Sequence, residues 1–163
     1  MAKTRQEATT KLKELLEDID FCMLTTISGG DLRSRPMSTQ TFDENGDLWF
    51  FTSDNTHKVD EITADSRVNV AYTKPDENQY VSVSGRATLS KDRAKIEELW
   101  NPILKAWFPE GIDDPHLALL NIKVEAAEYW ESSSSTLVQI AGFVKALVTG
   151  TEMDGGNHAK IAF

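Results

Sequence analysis

The stretch Phe21–Ser53, FCMLTTISGGDLRSRPMSTQTFDENGDLWFFTS, decides the fold. Phe21 to Ser28 is a short apolar and β-branched run, and Gly29-Gly30-Asp31 marks a turn. Leu32 to Phe42 continues extended. Asn45-Gly46 is a strong hairpin signal, because both residues tolerate positive φ. Leu48 to Thr52 is a further strand, rich in aromatic residues. Residues 21–53 therefore predict a three-stranded antiparallel meander.

The flanks extend the pattern. From Gln6 to Asp20, Leu12, Leu15, Leu16 and Ile19 fall at helical spacing. His57 to Ala64 predicts a short helix with Asn55 or Thr56 as its cap. Strands follow over Arg67–Thr73 and Gln79–Leu89, and Gly85 in the second implies a bulge or bend. Ser90 is the expected cap of a helix carrying Ile96, Leu99, Trp100, Ile103, Leu104 and Trp107, which Pro102 kinks or restarts. Leu119 to Trp130 alternates as a last strand, and Thr136 to Val148 predicts a nearly all-apolar helix ending at Gly150. The expectation is mainly β: a six-stranded antiparallel β-barrel with flanking helices, in the α+β or all-β class. Residues 1–150 form one domain and 151–163 a flexible, Gly-rich tail.

The 163 residues carry a net charge of −9, with a pI of about 4.8. An acidic surface repels phosphate backbones and anionic lipid, so neither nucleic acid nor membrane is an expected partner. No 18-residue apolar run or signal-like start is present, and the single cysteine, Cys22, forms no intrachain disulfide. A reducing, cytoplasmic setting is expected. Cys22 sits in an apolar Phe-Cys-Met-Leu run, where a thiol acts as a small buried hydrophobe. His57, His116 and His158 lack metal-ligand spacing, so no metal is expected, and no G-x-S-x-G elbow is present. No residue stands out as a catalytic base.

Two places break the apolar pattern. Along Leu32–Phe42, Arg33, Arg35, Met37 and Thr39 share one face and Ser34, Pro36, Ser38 and Gln40 the other, leaving polar groups on both. This is either a solvated edge strand or a strand lining a polar pocket. Then Phe50-Phe51-Thr52-Ser53 runs into a helix that begins His57-Lys58. Lysine is unfavourable at a helix start, where an anion such as phosphate is favoured; the alternative is a solvated surface lysine. The expected hairpin pairing would bring Arg33 and Arg35 toward Thr52 and Ser53, making a positive pocket in an acidic protein.

Arg35-Pro36-Met37-Ser38-Thr39-Gln40, then Phe50-Phe51-Thr52-Ser53 and His57-Lys58, resembles the FMN-binding pattern of the pyridoxamine 5′-phosphate oxidase-like split-barrel flavoproteins. The general stress protein 26-like branch is the closer resemblance, through Phe-Cys-Met-Leu-Thr-Thr at 21–26, Trp-Phe-Pro-Glu-Gly at 107–111 and Glu-Tyr-Trp at 128–130. The resemblance implies an FMN-binding split barrel and a homodimer with FMN at the subunit interface. It places Arg35, Pro36, Met37 and Ser38 along the flavin, Phe51, Thr52 and Ser53 at the ribityl chain and phosphate, and His57 and Lys58 on the phosphate. Tyr80 falls where the oxidases place a partner-subunit glutamine, and Trp107 either covers the ring or packs in the core.

The resemblance implies a flavin-dependent oxidoreductase using a small-molecule electron donor or acceptor. The alternatives are an FMN-binding stress-response protein with little turnover, or a barrel dimer whose pocket is empty or holds another phosphate. The C-terminal Arg-x-His substrate motif of the oxidases is missing. With pyridoxamine 5′-phosphate, the FMN-loaded protein should therefore form pyridoxal phosphate no faster than free flavin does; a rate well above that background overturns the expectation.

Overall fold

Thr4 opens the first helix with a reciprocal cap. Its hydroxyl accepts from the Glu7 N–H at 3.2 Å, and the Glu7 carboxylate accepts from the Thr4 N–H at 2.8 Å, so two otherwise orphaned donors are satisfied. This helix, α1 (Arg5–Leu16), buries Ala8, Leu12 and Leu15 in the core, and the chain turns away where Asp18 adopts φ 63°. The computed structural model describes residues 4–132, 147–150 and 157–163.

Eight strands follow among the described residues: β1 (Phe21–Ser28), β2 (Asp31–Ser38), β3 (Thr41–Phe42), β4 (Asp47–Ser53), β5 (Arg67–Lys74), β6 (Gln79–Ser90), β7 (Leu117–Glu131) and β8 (Asn157–Ala162). All their pairings are antiparallel, in the order β2-β1-β5-β6-β7-β4-β3, with β8 also on β7. No ladder among the described residues joins β2 to β3. The sheet is thus open, a mainly antiparallel α+β split-barrel architecture flanked by α1, α2 (His57–Ala64) and α3 (Arg93–Leu99).

Three expectations change. The single strand expected over 32–42 is two, broken at Thr39-Gln40. β2 pairs with β1 across the Gly29-Gly30 turn, and only Thr41 and Phe42 pair across Asn45-Gly46, with Trp49 and Leu48. A segment polar on both faces offers no apolar stripe to hold one register, and the break carries the chain from one sheet end to the other. The tail is not free throughout, because residues 157–162 form β8 along Ala126–Glu131. The cap of α3 is Asp92, whose carboxylate accepts from the Ala94 N–H, rather than Ser90. The helix expected over 136–148 lies outside the described residues except at 147 and 148, which are helical.

The main core lies inside the curl of the sheet under α1, where Leu12, Leu24, Phe50, Val70, Tyr72, Val83 and Ile122 are almost wholly buried. A second cluster on the far face of β4 joins Phe51, Leu117 and Leu119 to Ile96 of α3 and to Leu104 of a 3-10 turn, Pro102–Ala106. Phe51 meets Trp100 edge-on at 5.7 Å. Buried on both faces, β4 explains its run of aromatics. Cys22 is core as expected. Its thiol donates to the Met37 carbonyl at 3.4 Å, and burial pushes its pKa up to about 11, so it stays protonated at neutral pH.

Gly85 marks the expected irregularity. The β6–β7 register slips between Ser84 and Gly85, leaving Glu125 as the extra residue on β7. A Cβ at position 85 would lie 2.3 Å from the Lys123 carbonyl oxygen and 3.2 Å from the Ile122 side chain. Backbone cannot yield there as a flexible side chain would. Gly85→Ala should cost about 1–3 kcal/mol, the usual range for overpacking; an unchanged urea midpoint would show that the strands separate freely at this point.

Candidate functional site

The ends of β2 and β4, the start of α2 and the 3-10 turn at Pro102–Ala106 enclose a cavity of about 380 Å³. Among the residues expected at the site, it brings together Pro36, Met37, Ser38, Phe51, Thr52, Ser53, Lys58 and Trp107. Trp107 is 60 % exposed at the rim, so the core-packing alternative does not hold. Sequence reasoning missed Phe21, Thr56, Leu104 and Phe108, which also line the cavity. Gln40 lines it as well; like Phe21 and Phe108, it belongs to a motif that carries the resemblance but has no site role assigned by it.

Three expected residues lie outside the lining: Arg35, His57 and Tyr80. His57 is exposed at the first position of α2, and Tyr80 is exposed on the outer face of β6. The pairing expected to carry Arg33 and Arg35 to the hydroxyls of β4 does not form, because β2 pairs with β1 instead. Helix α2 makes the connection in its place.

Lys58 and Glu61, three residues apart, lie on one face of α2, and both meet the inner face of β2. The Lys58 ammonium donates to Thr52 Oγ1 at 3.0 Å and lies 3.6 Å from Met37 Sδ. Burial first, and the charge of Arg35 second, push its pKa below the usual lysine value. Glu61, with a side chain only 7 % exposed, accepts from Arg35 Nη2 at 2.8 Å, Arg33 Nη1 at 3.3 Å and Thr26 Oγ1 at 2.5 Å. The Thr26 hydroxyl, and then the charges of Arg35 and Arg33, hold its carboxyl below the usual carboxylate range against the opposing effect of burial. Nothing in the sequence marked Glu61, which reads as one more charge on a short helix.

Two arginines therefore share one carboxylate, and Lys58, which feels the charge of Arg35, makes no ion pair among the described residues. Arg35 Nη1 is the one buried side-chain nitrogen or oxygen without a partner among the described residues, and such an orphan is costly. Thr56, the N-cap of α2, donates its hydroxyl to the Ser53 carbonyl and makes no side-chain cap to the helix. The arrangement is short of negative charge by two units. Among the described residues Lys58 is the only ionisable one lining the cavity, so the described walls offer positive charge and hydroxyls but no carboxylate.

A second cavity, of about 390 Å³, lies between α1 and residues 39–42. Its one cation, Lys13, is accompanied by Glu14 and Glu17, and no buried donor lacks a partner there. It does not suit an anion. No group of three His, Cys, Asp or Glu among the described residues is placed to hold a metal ion, and no helix among them is long and apolar enough to cross a membrane.

Comparison with known proteins places the chain. The family described as pyridoxamine 5′-phosphate oxidase like matches residues 7–154. General stress protein 26 of Bacillus subtilis is 29% identical over 140 residues, covering 83% of this chain and 97% of that protein. A general stress protein 26 candidate from Jannaschia sp. CCS1 superposes with a TM-score of 0.74 at 28% identity, covering 96% of this chain and 99% of the other. A general stress FMN/FAD binding protein from Xanthomonas citri is 32% identical, with a TM-score of 0.69, covering 79% of this chain and 92% of that one. With the split-barrel sheet and the motif order along it, these matches make the chain a member of the pyridoxamine 5′-phosphate oxidase-like family, in its general stress protein 26-like branch.

Proposed function

We propose that the chain binds FMN and serves as a flavin-dependent oxidoreductase for a small-molecule electron donor or acceptor. The observation that carries the reading is the unbalanced cation cluster, in which Lys58 and the orphaned Arg35 Nη1 await an anion. A phosphomonoester dianion fits its charge and its donors. Lys58, Thr52, Ser53 and Arg35 would hold the phosphate, with His57 adding charge from the exposed start of α2. Pro36, Met37, Ser38 and Phe51 would line the ribityl chain and ring, with Trp107 at the rim. A phosphate ending in a half-buried cluster suits FMN, since FAD must continue past it. The name of the Xanthomonas citri relative supports a flavin of either kind.

The bound flavin supplies the ability to accept and return electrons; the chain supplies position, electrostatics and exclusion of water. A cavity wall whose only ionisable group among the described residues is Lys58 supports that division of labour.

The same reading includes a homodimer. Phe21, Met23, Leu32, Tyr80 and Trp130 are 39–75% exposed. The registers set them on one outer face of the sheet, with Met23 opposite Pro36 and Ala71, and Tyr80 opposite Trp130. Between them lie Ala71, Ser82, Ser84 and Ala126, together with the charged Glu128 opposite Ser82. Exposed apolar area of this extent favours a protein partner. Phe21, Pro36 and Ser38 belong both to this face and to the cavity lining, so a second copy would cover the cavity mouth. Tyr80 would complete the pocket of that copy.

The first test is spectroscopic and thermodynamic. The purified protein should be yellow and release FMN on denaturation. Lys58→Ala should weaken FMN about tenfold to a hundredfold, the worth of a charge-assisted hydrogen bond, and leave riboflavin nearly unaffected. Equal losses for both ligands would remove the phosphate from this site. The second test is sedimentation at low micromolar concentration, where twice the 18.2 kDa chain mass is expected. A monomer that still holds FMN tightly would mean that one chain makes the whole site.

A further inference from the structure

Among the described residues Glu61 is the one buried aspartate, glutamate, lysine, arginine or histidine. The flavin reading gives it no role. Removing a carboxylate from water is expensive, and an apolar residue of similar volume usually packs as well. Helix α2 already buries Val59 and Ile62, so its docking does not depend on a charge at position 61. Every contact of the carboxylate goes to β1 or β2: Thr26 from β1, Arg33 and Arg35 from β2.

Resting on the flavin reading, we propose that Glu61 is a positioning residue for the phosphate: Thr26 and Arg35 Nη2 both donate to its Oε2, and this grip on Arg35, which lies outside the cavity lining, holds the buried Nη1 as a donor for a phosphate at Lys58. A guanidinium is planar, so holding one terminal nitrogen fixes the direction of the other. Glu61 also lowers the cluster from three positive charges to two, which a phosphomonoester dianion neutralises. Without it, the charge of Arg35 toward Lys58 is uncompensated, and Arg35 is free to swing toward solvent along the exposed side of β2, where Arg33 already lies with its side chain 59% exposed.

The test compares FMN with riboflavin in wild type, Glu61→Gln and Thr26→Val, by quenching of flavin fluorescence, and adds inorganic phosphate in a thermal-shift measurement. Glu61→Gln keeps the volume and loses the charge. Its preference for FMN over riboflavin should fall roughly tenfold, with riboflavin affinity unchanged and the phosphate-induced rise in Tm reduced. Thr26→Val, which removes the second donor to the oxygen that Arg35 grips, should lower the same preference by about threefold. An unchanged preference in folded Glu61→Gln overturns the proposal, and so does an increased one, which would make Glu61 a competitor of the phosphate. Equal losses for both flavins would make it merely structural. If Glu61→Gln does not fold, an unchanged preference in Thr26→Val overturns the proposal alone. A wild-type protein that neither prefers FMN to riboflavin nor responds to phosphate overturns the flavin reading itself, and the role of Glu61 falls with it.

Discussion

No side-chain atom fits at residue 85, and much of the sheet is organised around that fact. β6 approaches β7 so closely there that only glycine avoids the Lys123 carbonyl. The extra residue on β7, Glu125, sits opposite this point. On the other edge of β7 the partner changes at the same place: the ladder with β4 ends at Lys123 and the ladder with β8 begins at Ala126. The Val124 N–H reaches the Gly46 carbonyl and the Phe163 N–H reaches the Glu125 carbonyl, so both ends of the gap are stitched. A bulge increases local twist, and that twist lets one 15-residue strand serve β4 along its first half and β8 along its second.

The site inherits its geometry from that arrangement. Seven consecutive pairs with β7 hold β4 rigid to its end, placing Thr52 opposite Ala118 and Ser53 opposite Leu117. Helix α2 starts four residues later, which leaves Lys58 little freedom in where it meets Thr52. Against this rigid frame the cation cluster is locally frustrated: Lys58 is half-buried beside a second cation, and Arg35 Nη1 is buried without a partner. Sequences that fold well avoid such conflicts except where function requires them.

The strands were legible because their period-2 patterns and the Asn45-Gly46 and Gly85 signals are local. The break at Thr39-Gln40 was not, because the segment is polar on both faces and its two halves choose partners far apart in the chain. β8 was hidden for a similar reason. His158, Ala159, Lys160 and Ile161 give no strong pattern, and their stability comes from pairing with β7 and from stacking of His158 on Trp130 at 5.1 Å. At the site, the motif order identified eight of the cavity residues. Glu61 was illegible because its meaning lies in three partners 26 to 35 residues away, and a single carboxylate on an eight-residue helix looks like solvation.

An acidic protein that keeps a positive pocket must hold it against its own surface. The described structure does so by partial burial, which strengthens the interaction of Lys58 and Arg35 with an anion by lowering the local dielectric. On the proposed reading, two things complete the pocket and neither belongs to the single chain: a phosphate between the cations, and a second copy over the mouth at Phe21, Pro36 and Ser38. Each improves the site for the other. The anion removes the repulsion that a covering subunit would otherwise bury, and the covering subunit removes water that weakens the hold on the anion. Coupling of this kind is reciprocal by thermodynamic necessity, so ligand affinity and dimer affinity rise by the same factor. The orphaned nitrogen of Arg35 and the exposed apolar face of β1 are then two parts of one incomplete site.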